Sequence, residues 1–171
     1  MRLVRQISYE ELLEIFKAEN AVKDSRNPRN PDDWPRARFR EANEVADGQW
    51  FEYTLDRDDL ARIFVHWNTE LNLPKTGVML ADTLQLPRVQ EYLASTKPHN
   101  LTPNSHLWLS TAYIRHDSSE EMQPRDGVFY LLDGLHRSIV WFSQGKNEIS
   151  VFIAGQPQLV PSVALDGWPR L

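Results

Sequence analysis

A short strand–turn–helix–strand unit near the C-terminal end constrains the fold more than any other feature of the sequence. Residues 128–132 and 149–154 are two apolar runs rich in residues that favour strands. Between them, residues 135–144 have helical spacing, and Gly145 follows where a helix typically ends. Because a helix lies between two strands with short connections, the unit predicts an α/β arrangement.

Apolar runs elsewhere add further elements to this unit. Ser8 and Glu11 form a capping-box pattern at the start of one helix, and Asp56 is placed to cap a second. The patterns predict strands at residues 3–7, 50–55 and 106–114, and helices at residues 9–18, 57–71 and from Pro87 onward. The expected fold class is α/β (α+β), with one small mixed sheet and helices packed on it.

Two segments do not follow these patterns. Residues 19–49 include a run of turn formers and predict a long irregular loop, and residues 156–171 predict a C-terminal tail. Within the loop, every second residue from 36 to 40 is an arginine: Arg36, Arg38 and Arg40. These side chains either close over a polyanion or form a solvated face. We expect the whole chain, residues 1–171, to form a single domain.

Composition and charge exclude several classes of protein. The chain has no cysteine, which excludes disulfides, a cysteine nucleophile and thiolate metal sites. Its net charge of −5 disfavours a nucleic-acid partner. There is no run of about eighteen apolar residues and no signal-peptide pattern, so we expect no membrane partner and a cytoplasmic protein.

One motif carries chemistry, and it lies at the turn between the predicted strand and helix: Asp133-Gly134-Leu135-His136-Arg137. A glycine there permits a sharp turn and a close approach of the backbone to a ligand. Unpaired N–H groups at the start of a helix favour an anion, and an arginine can bind a phosphate through two hydrogen bonds. Asp133 is placed to bind a metal or to accept a proton. The motif predicts an anion site at Gly134, His136, Arg137 and Ser138, and its alternative interpretation is a plain structural turn.

Residues 130–154, with this motif and Gly145, resemble the core of the ParB/sulfiredoxin-like superfamily. The Asp-Gly-x-His-Arg version is similar to that of the free-serine kinases of this fold. The resemblance implies a nucleotide-phosphate site at His136 and Arg137, with Asp133 near a metal or the reacting group. It implies ATP or ADP, or else CTP, together with Mg²⁺.

The departures from that family limit what the resemblance implies. Leu135 stands where sulfiredoxins have their cysteine, which excludes sulfinic-acid repair. The chain ends soon after the motif, so we do not expect the DNA-binding domain of chromosome-partitioning proteins. The serine kinases also use a glutamate from an early segment, and the sequence selects none of its candidates: Glu10, Glu11, Glu14 and Glu52.

The leading hypothesis is a kinase-like enzyme of small-molecule biosynthesis. It would transfer a phosphoryl group to a hydroxyl acceptor, with Asp133 and His136 as catalytic residues and Asp133 as the metal ligand. One alternative is a nucleotide-independent enzyme of specialised metabolism, in which His136 is the acid or base and Arg137 binds a carboxylate. Another is a non-catalytic nucleotide-binding module.

The remaining polar candidates have weaker patterns. Thr111 and Tyr113 share one face of a predicted strand, so they either bind substrate or belong to the core. A divalent cation site is a minor possibility at His116, Asp117, Glu120 and Glu121. The other histidines are expected to have no catalytic role, with His99 and His106 at the surface and His66 packed within a helix.

Overall fold

The computed structural model describes residues 1–24, 34–95, 105–115 and 121–157, with the main chain alone at residues 20–24 and 34–36. Its strands are β1 (Arg2–Ile7), β2 (Trp50–Leu55), β3 (Ile63–Val65), β4 (Val78–Met79), β5 (Leu107–Ser110), β6 (Phe129–Asp133) and β7 (Ile149–Ala154). Its helices are α1 (Tyr9–Asp24), α2 (Trp34–Val45), α3 (Arg57–Ala61), α4 (Leu80–Thr83), α5 (Pro87–Ser95) and α6 (Leu135–Ser143). The protein is therefore a mixed α+β domain.

The strands form one mixed sheet in the order β1-β2-β7-β5-β6-β3-β4. β5 pairs with β7 in parallel and with β6 in antiparallel fashion. The strands on either side of α6 are therefore not neighbours, because β5 lies between them. They run in opposite directions, so the strand–helix–strand unit predicted from the sequence is present but does not form a parallel crossover.

Each face of the sheet carries its own layer of helices. Alternating strand residues such as Leu131 and Val151 pack with apolar side chains of α3, α4, α5 and α6. On the opposite face, Trp108 and Phe152 pack with α1 and α2, which contribute Phe16 and Phe39. Helices cover both faces of the central strands, so a site is most accessible at the ends of those strands.

The region from residue 57 to 71 differs from its predicted single helix. α3 ends at Ala61, and the next residues form the buried strand β3. β3 lies between β4 and β6, and all three of its side chains are buried because apolar residues pack on both faces of the sheet there, against Ile63 and Val65 on one and against Phe64 on the other. A short apolar run buried on both sides has no alternation, and its spacing cannot be told from that of a buried helix.

The predicted loop at residues 19–49 is helical over much of its described part. α1 continues to Asp24, and α2 begins at Trp34. Phe39 and Ala42, three positions apart on α2, are completely buried against the sheet. This apolar pair stabilises a helix despite the surrounding charges. Residues 25–33, which hold most of the turn formers, lie outside the described residues, as does the predicted tail from residue 158 onward.

The cap predicted at Asp56 is confirmed, and it gives the first testable prediction. Asp56 Oδ1 accepts from the Asp59 N–H at 2.9 Å, and this hydrogen bond is the main cause that lowers the pKa of the Asp56 carboxyl. A lowered carboxyl pKa stabilises the fold above the ordinary value of 3.8, and that contribution is lost as the pH falls through the folded value.

We therefore expect Asp56→Ala to lower the free energy of unfolding by about 1 kcal/mol at pH 7. The difference from the parent protein should shrink below pH 4, as measured by urea denaturation at several pH values. Asp58→Ala is the matched control, because Asp58 lies in the same first turn and makes no capping bond. A cost for Asp56→Ala that does not change between pH 7 and pH 3 would contradict the assignment.

Candidate functional site

The motif lies at the carboxyl end of β6, where the chain turns into α6. Gly134 is the N-cap of α6 and has φ of +99°, a value that side-chain-bearing residues rarely adopt. The first bond of the helix is donated by the Ser138 N–H to the Gly134 carbonyl at 2.8 Å. The N–H groups of the three residues before Ser138 therefore have no partner within the helix.

Arg137 is held by two carboxylates. Its Nη2 donates to Asp133 Oδ2 at 2.9 Å, and its Nη1 lies 3.5 Å from Glu19 Oε2. The Arg137 side chain is only 13% exposed and that of Glu19 only 9%, so solvent screens this charge cluster weakly. The sequence predicted Arg137 as a site residue, but it did not predict its contact with Glu19 of α1.

Glu19 also contacts His106, at the residue before β5. Glu19 Oε1 forms a short hydrogen bond with His106 Nδ1, and the His106 backbone N–H donates to Glu19 Oε2 at 3.4 Å. A carboxylate accepts only, so this contact places a proton on Nδ1, and in the neutral imidazole Nε2 is then the acceptor nitrogen. His106 was expected to be an ordinary surface residue, and the structure instead places it in the cluster.

Arg38 lies beneath the same end of β6. It comes from α2 and is 4% exposed, and its Nη1 donates to the Leu132 carbonyl at 2.6 Å. Its predicted position on a solvated face is therefore wrong. Since Leu132 precedes Asp133, Arg38 positions the strand end from which the motif begins.

His136 and Arg137 are consecutive, and they face different neighbours. His136 Nε2 lies 3.6 Å from Glu70 Oε2, and the His136 and Tyr92 ring centroids are 5.1 Å apart. Adjacent residues on a helix point about 100° apart. The two side chains therefore flank the start of α6 on separate sides.

The other predicted binding residues lie away from that end or below its surface. Ser138 is completely buried, and its Oγ donates to the Leu135 carbonyl at 2.8 Å. β5 runs antiparallel to β6, with Trp108 opposite Asp133 and Ser110 opposite Tyr130. Thr111 follows Ser110, so it lies about 10 Å along the sheet from Asp133 at a strand rise of about 3.3 Å.

Thr111 and Tyr113 have structural partners at that distant end. Thr111 Oγ1 donates to the Ala154 carbonyl at 3.1 Å. The Tyr113 ring stacks on His66, with centroids 5.9 Å apart. His66 is 4% exposed and follows β3, so it packs as predicted but outside a helix. The hypothesis of one pocket shared by Thr111, Tyr113 and the motif does not agree with this placement.

The four glutamates considered from the sequence are also engaged elsewhere or exposed. Glu11 and Glu52 both pair with Arg5, Glu14 pairs with Lys17, and Glu10 is exposed in the first turn of α1. The cation candidates His116, Asp117 and Glu120, like His99, lie outside the described residues, and Glu121 is exposed. Among the early carboxylates that the structure describes, Glu19 is thus the one that reaches the motif. Its position at a predicted helix–loop boundary gave no signal of this contact.

A cleft of about 290 Å³ opens at the same end of the sheet. β5 and β7 are parallel, and the residues at or just before their N-terminal ends line it, with others from the end of α6 and the turn after it. The polar lining side chains are Ser105, His106, Lys146, Glu148 and Ser150. The volume is at the lower end of the range for small-molecule sites, about 300–1,000 Å³. His106 belongs to both the cleft and the charge cluster.

The charge cluster fits Mg²⁺ only as a partial site. Within the described ranges, no three His, Asp or Glu side chains are grouped to hold a metal ion. Asp133 Oδ2 accepts from Arg137, and no hydrogen bond to its second oxygen is seen within the part of the chain that the structure describes. Mg²⁺ is commonly bound by one or two carboxylates together with substrate phosphates. Asp133 therefore fits as a single ligand to a magnesium ion that a nucleotide brings with it.

Comparisons with known proteins give a family but no activity. A model described as a family of unknown function (DUF6309) matches residues 1–166. No curated protein and no solved structure matches the chain. Among the helices of the described residues, none has the length and apolar character that crossing a bilayer requires.

Proposed function

We propose a function for this chain, which belongs to a family of unknown function (DUF6309), from the chemistry of its site. The chain transfers a phosphoryl group from a nucleotide, ATP or ADP, to a hydroxyl group of a small molecule. One observation carries the proposal: Glu19 contacts both Arg137 and His106 beside the start of α6. A guanidinium, a carboxylate and an imidazole thereby lie together at one sheet end.

The start of α6 and Arg137 supply the phosphate-binding part of this proposal. The positive end of the α6 dipole, where the first N–H groups of the helix point toward the turn, favours an anion. Transfer of a phosphoryl group needs little more than positioning and neutralisation of the charge that develops on its oxygens. In this proposal Arg137 supplies that neutralisation at the start of α6.

Glu19 supports the resemblance to the free-serine kinases on a second point. That resemblance implies a glutamate from an early segment, and Glu19 of α1 lies within 3.5 Å of the motif arginine. The ParB/sulfiredoxin-like fold itself remains a prediction, as does a cytoplasmic location. The cleft beside His106 is large enough for a small acceptor, so donor and acceptor would occupy adjacent spaces.

The direct test is a calorimetric titration of the full chain with ATP, ADP and CTP, each with and without Mg²⁺. Binding of one nucleotide with a micromolar Kd, strengthened by Mg²⁺, is the expected result. Failure of all three to bind would overturn the proposal. Binding without any turnover of nucleotide would favour the non-catalytic nucleotide-binding module instead.

Arg137→Ala should weaken nucleotide binding about 30-fold, because a charge-assisted contact to a phosphate contributes about 2 kcal/mol. Arg137→Lys keeps the charge but loses the two-pronged geometry, so we expect a smaller loss. Calorimetry on variants whose circular dichroism matches the parent protein would measure both changes.

Arg88→Ala is the control for this pair of variants. Arg88 is also a helix arginine paired with a carboxylate, Glu91, but it is 60% exposed and lies on α5. Its replacement should leave nucleotide affinity within twofold of the parent value. Equal affinities for the parent, Arg137→Ala and Arg88→Ala proteins would remove Arg137 from the binding site.

A second candidate function is supported by the way the two motif side chains are engaged. Arg137 already pairs with two carboxylates, Asp133 and Glu19, so it has no excess positive charge to offer a phosphate. His136 faces Glu70 and Tyr92 on another side of α6. An enzyme without a nucleotide would use His136 as an acid or base, with Glu70 orienting its ring. That enzyme predicts activity that is indifferent to nucleotides and to removal of Mg²⁺ by EDTA.

A further inference from the structure

The cleft beside the charge cluster has one side chain equipped to move a proton. His106 contacts Glu19 through Nδ1, and among the described residues nothing hydrogen-bonds its Nε2. The His106 side chain is 17% exposed and lines the cleft, so it connects the cluster with the space outside it. A histidine whose inner nitrogen is held by a carboxylate has its outer nitrogen free to accept a proton.

Packing fixes the orientation of that imidazole. The His106 ring centroid lies 4.5 Å from that of Phe152 and 6.2 Å from that of Trp108, and both rings are buried in the sheet. These two rings restrict rotation of the His106 side chain. Glu19 restricts it further, because its carboxylate contacts both the imidazole and the backbone N–H of His106. A catalytic group needs such support to hold its geometry.

The remaining polar lining indicates what the cleft would accept. Lys146 and Glu148 place one positive and one negative charge at its edge, and Ser105 and Ser150 contribute hydroxyl groups. The charged pair carries no net charge, and Lys146 lies over the Trp141 ring at 4.3 Å. A lining of this kind, in about 290 Å³, suits a small hydroxyl compound without net charge better than a polyanion.

From this placement we infer that His106, oriented by Glu19, is the general base for a small neutral hydroxyl acceptor bound in the cleft. The inference rests on the proposed phosphoryl transfer and adds to it the acceptor site and the base. Glu19 acts as a positioning residue, since it contacts His106 and Arg137 and not the acceptor.

The step balances with a nucleoside triphosphate as donor. The acceptor oxygen forms a bond to the terminal phosphorus, and the bond from that phosphorus to its bridging oxygen breaks. The acceptor proton passes to His106 Nε2, and the nucleoside diphosphate leaves with the electron pair of the broken bond. His106 then releases the proton to water, and water itself is a slower acceptor in the same place.

The test uses Mg²⁺-ATP as donor and glycerol as the acceptor probe, with ³¹P NMR to measure a glycerol phosphate ester and inorganic phosphate. His106→Gln should lower the summed rate by 10²- to 10⁴-fold, the usual contribution of a general base. It should leave the Kd of Mg²⁺-ATP within twofold.

Ser95→Ala is the matched control, because the Ser95 hydroxyl donates to the Tyr92 carbonyl within α5, away from the cleft. Its rate should equal that of the parent protein. An unchanged rate in a folded His106→Gln protein would overturn the inference and leave the proposed function standing. ATP that binds without either product would overturn both the inference and the proposed phosphoryl transfer, and so would a failure of ATP to bind.

Discussion

Replacement of Gly77 by alanine is expected to lower the free energy of unfolding by about 2–4 kcal/mol, from backbone strain and overpacking together. A Cβ at residue 77 would lie 2.5 Å from Phe64 Cε1 and 2.9 Å from Met122 Sδ. The Phe64 ring is 1% exposed and packs edge-on against Tyr130, so it has little room to move. The φ of +70° at Gly77 adds strain for any residue with a side chain.

Urea denaturation of the full chain measures this cost, and Gly48→Ala is the matched control. Gly48 has nearly the same φ, +71°, and a Cβ there would meet no atom within 4 Å. The control therefore carries the backbone strain alone, about 1–2 kcal/mol. Equal urea midpoints for Gly77→Ala and Gly48→Ala would show that a Cβ at residue 77 does not clash with Phe64, and that this contact does not limit the packing of β3 and β4.

Replacement of Glu19 by alanine is expected to cost about 2–4 kcal/mol of stability, because it leaves Arg137 and His106 without their shared carboxylate in a poorly solvated place. Removal of one partner from a buried charge pair is strongly destabilising. The cost stays below the top of the range for such pairs, since Arg137 keeps its 2.9 Å bond to Asp133. Thermal and urea denaturation of the variant would measure it.

Glu14→Ala is the control for Glu19, because both lie on α1 and both pair with a cation in the parent protein. The Glu14 side chain is 70% exposed and its partner is the exposed Lys17, so its removal should change the stability by less than about 0.5 kcal/mol. If Glu19→Ala and Glu14→Ala lose the same small free energy of unfolding, Glu19 does not stabilise the charge cluster. Glu19→Gln, which keeps the size of the side chain, then separates lost charge from lost packing.

Local patterns predicted several elements well because their causes are local. β2 and β7 have the bounds predicted from their branched and aromatic residues. α6 follows Gly134 and ends close to Gly145, as the turn and C-cap residues indicate. The helix predicted from Pro87 onward is α5, and it buries Val89. In each case a run of side chains with the right spacing and one turn residue are enough to predict the element.

The site was only partly predictable for the opposite reason. Asp133 and Arg137 are four residues apart on a turn and a helix, so their contact follows from spacing alone. Glu19 and His106 are 87 positions apart, and only the packing of α1 against the end of β5 brings them together. The residues next to Glu19 and His106 in the sequence do not distinguish either of them from a solvated side chain.

The sequence by itself therefore determined the motif turn, its anion-favouring helix start and most of the secondary structure. The tertiary structure alone decided that Glu19, Arg38 and His106 are sheltered from solvent, and that Thr111 lies at the other end of β5. The physical reason is that hydrogen bonds and helix spacing act between near neighbours, whereas strand order is set by which apolar faces can be buried together. Here the insertion of β5 between β6 and β7 places His106 beside the motif and closes the charge cluster.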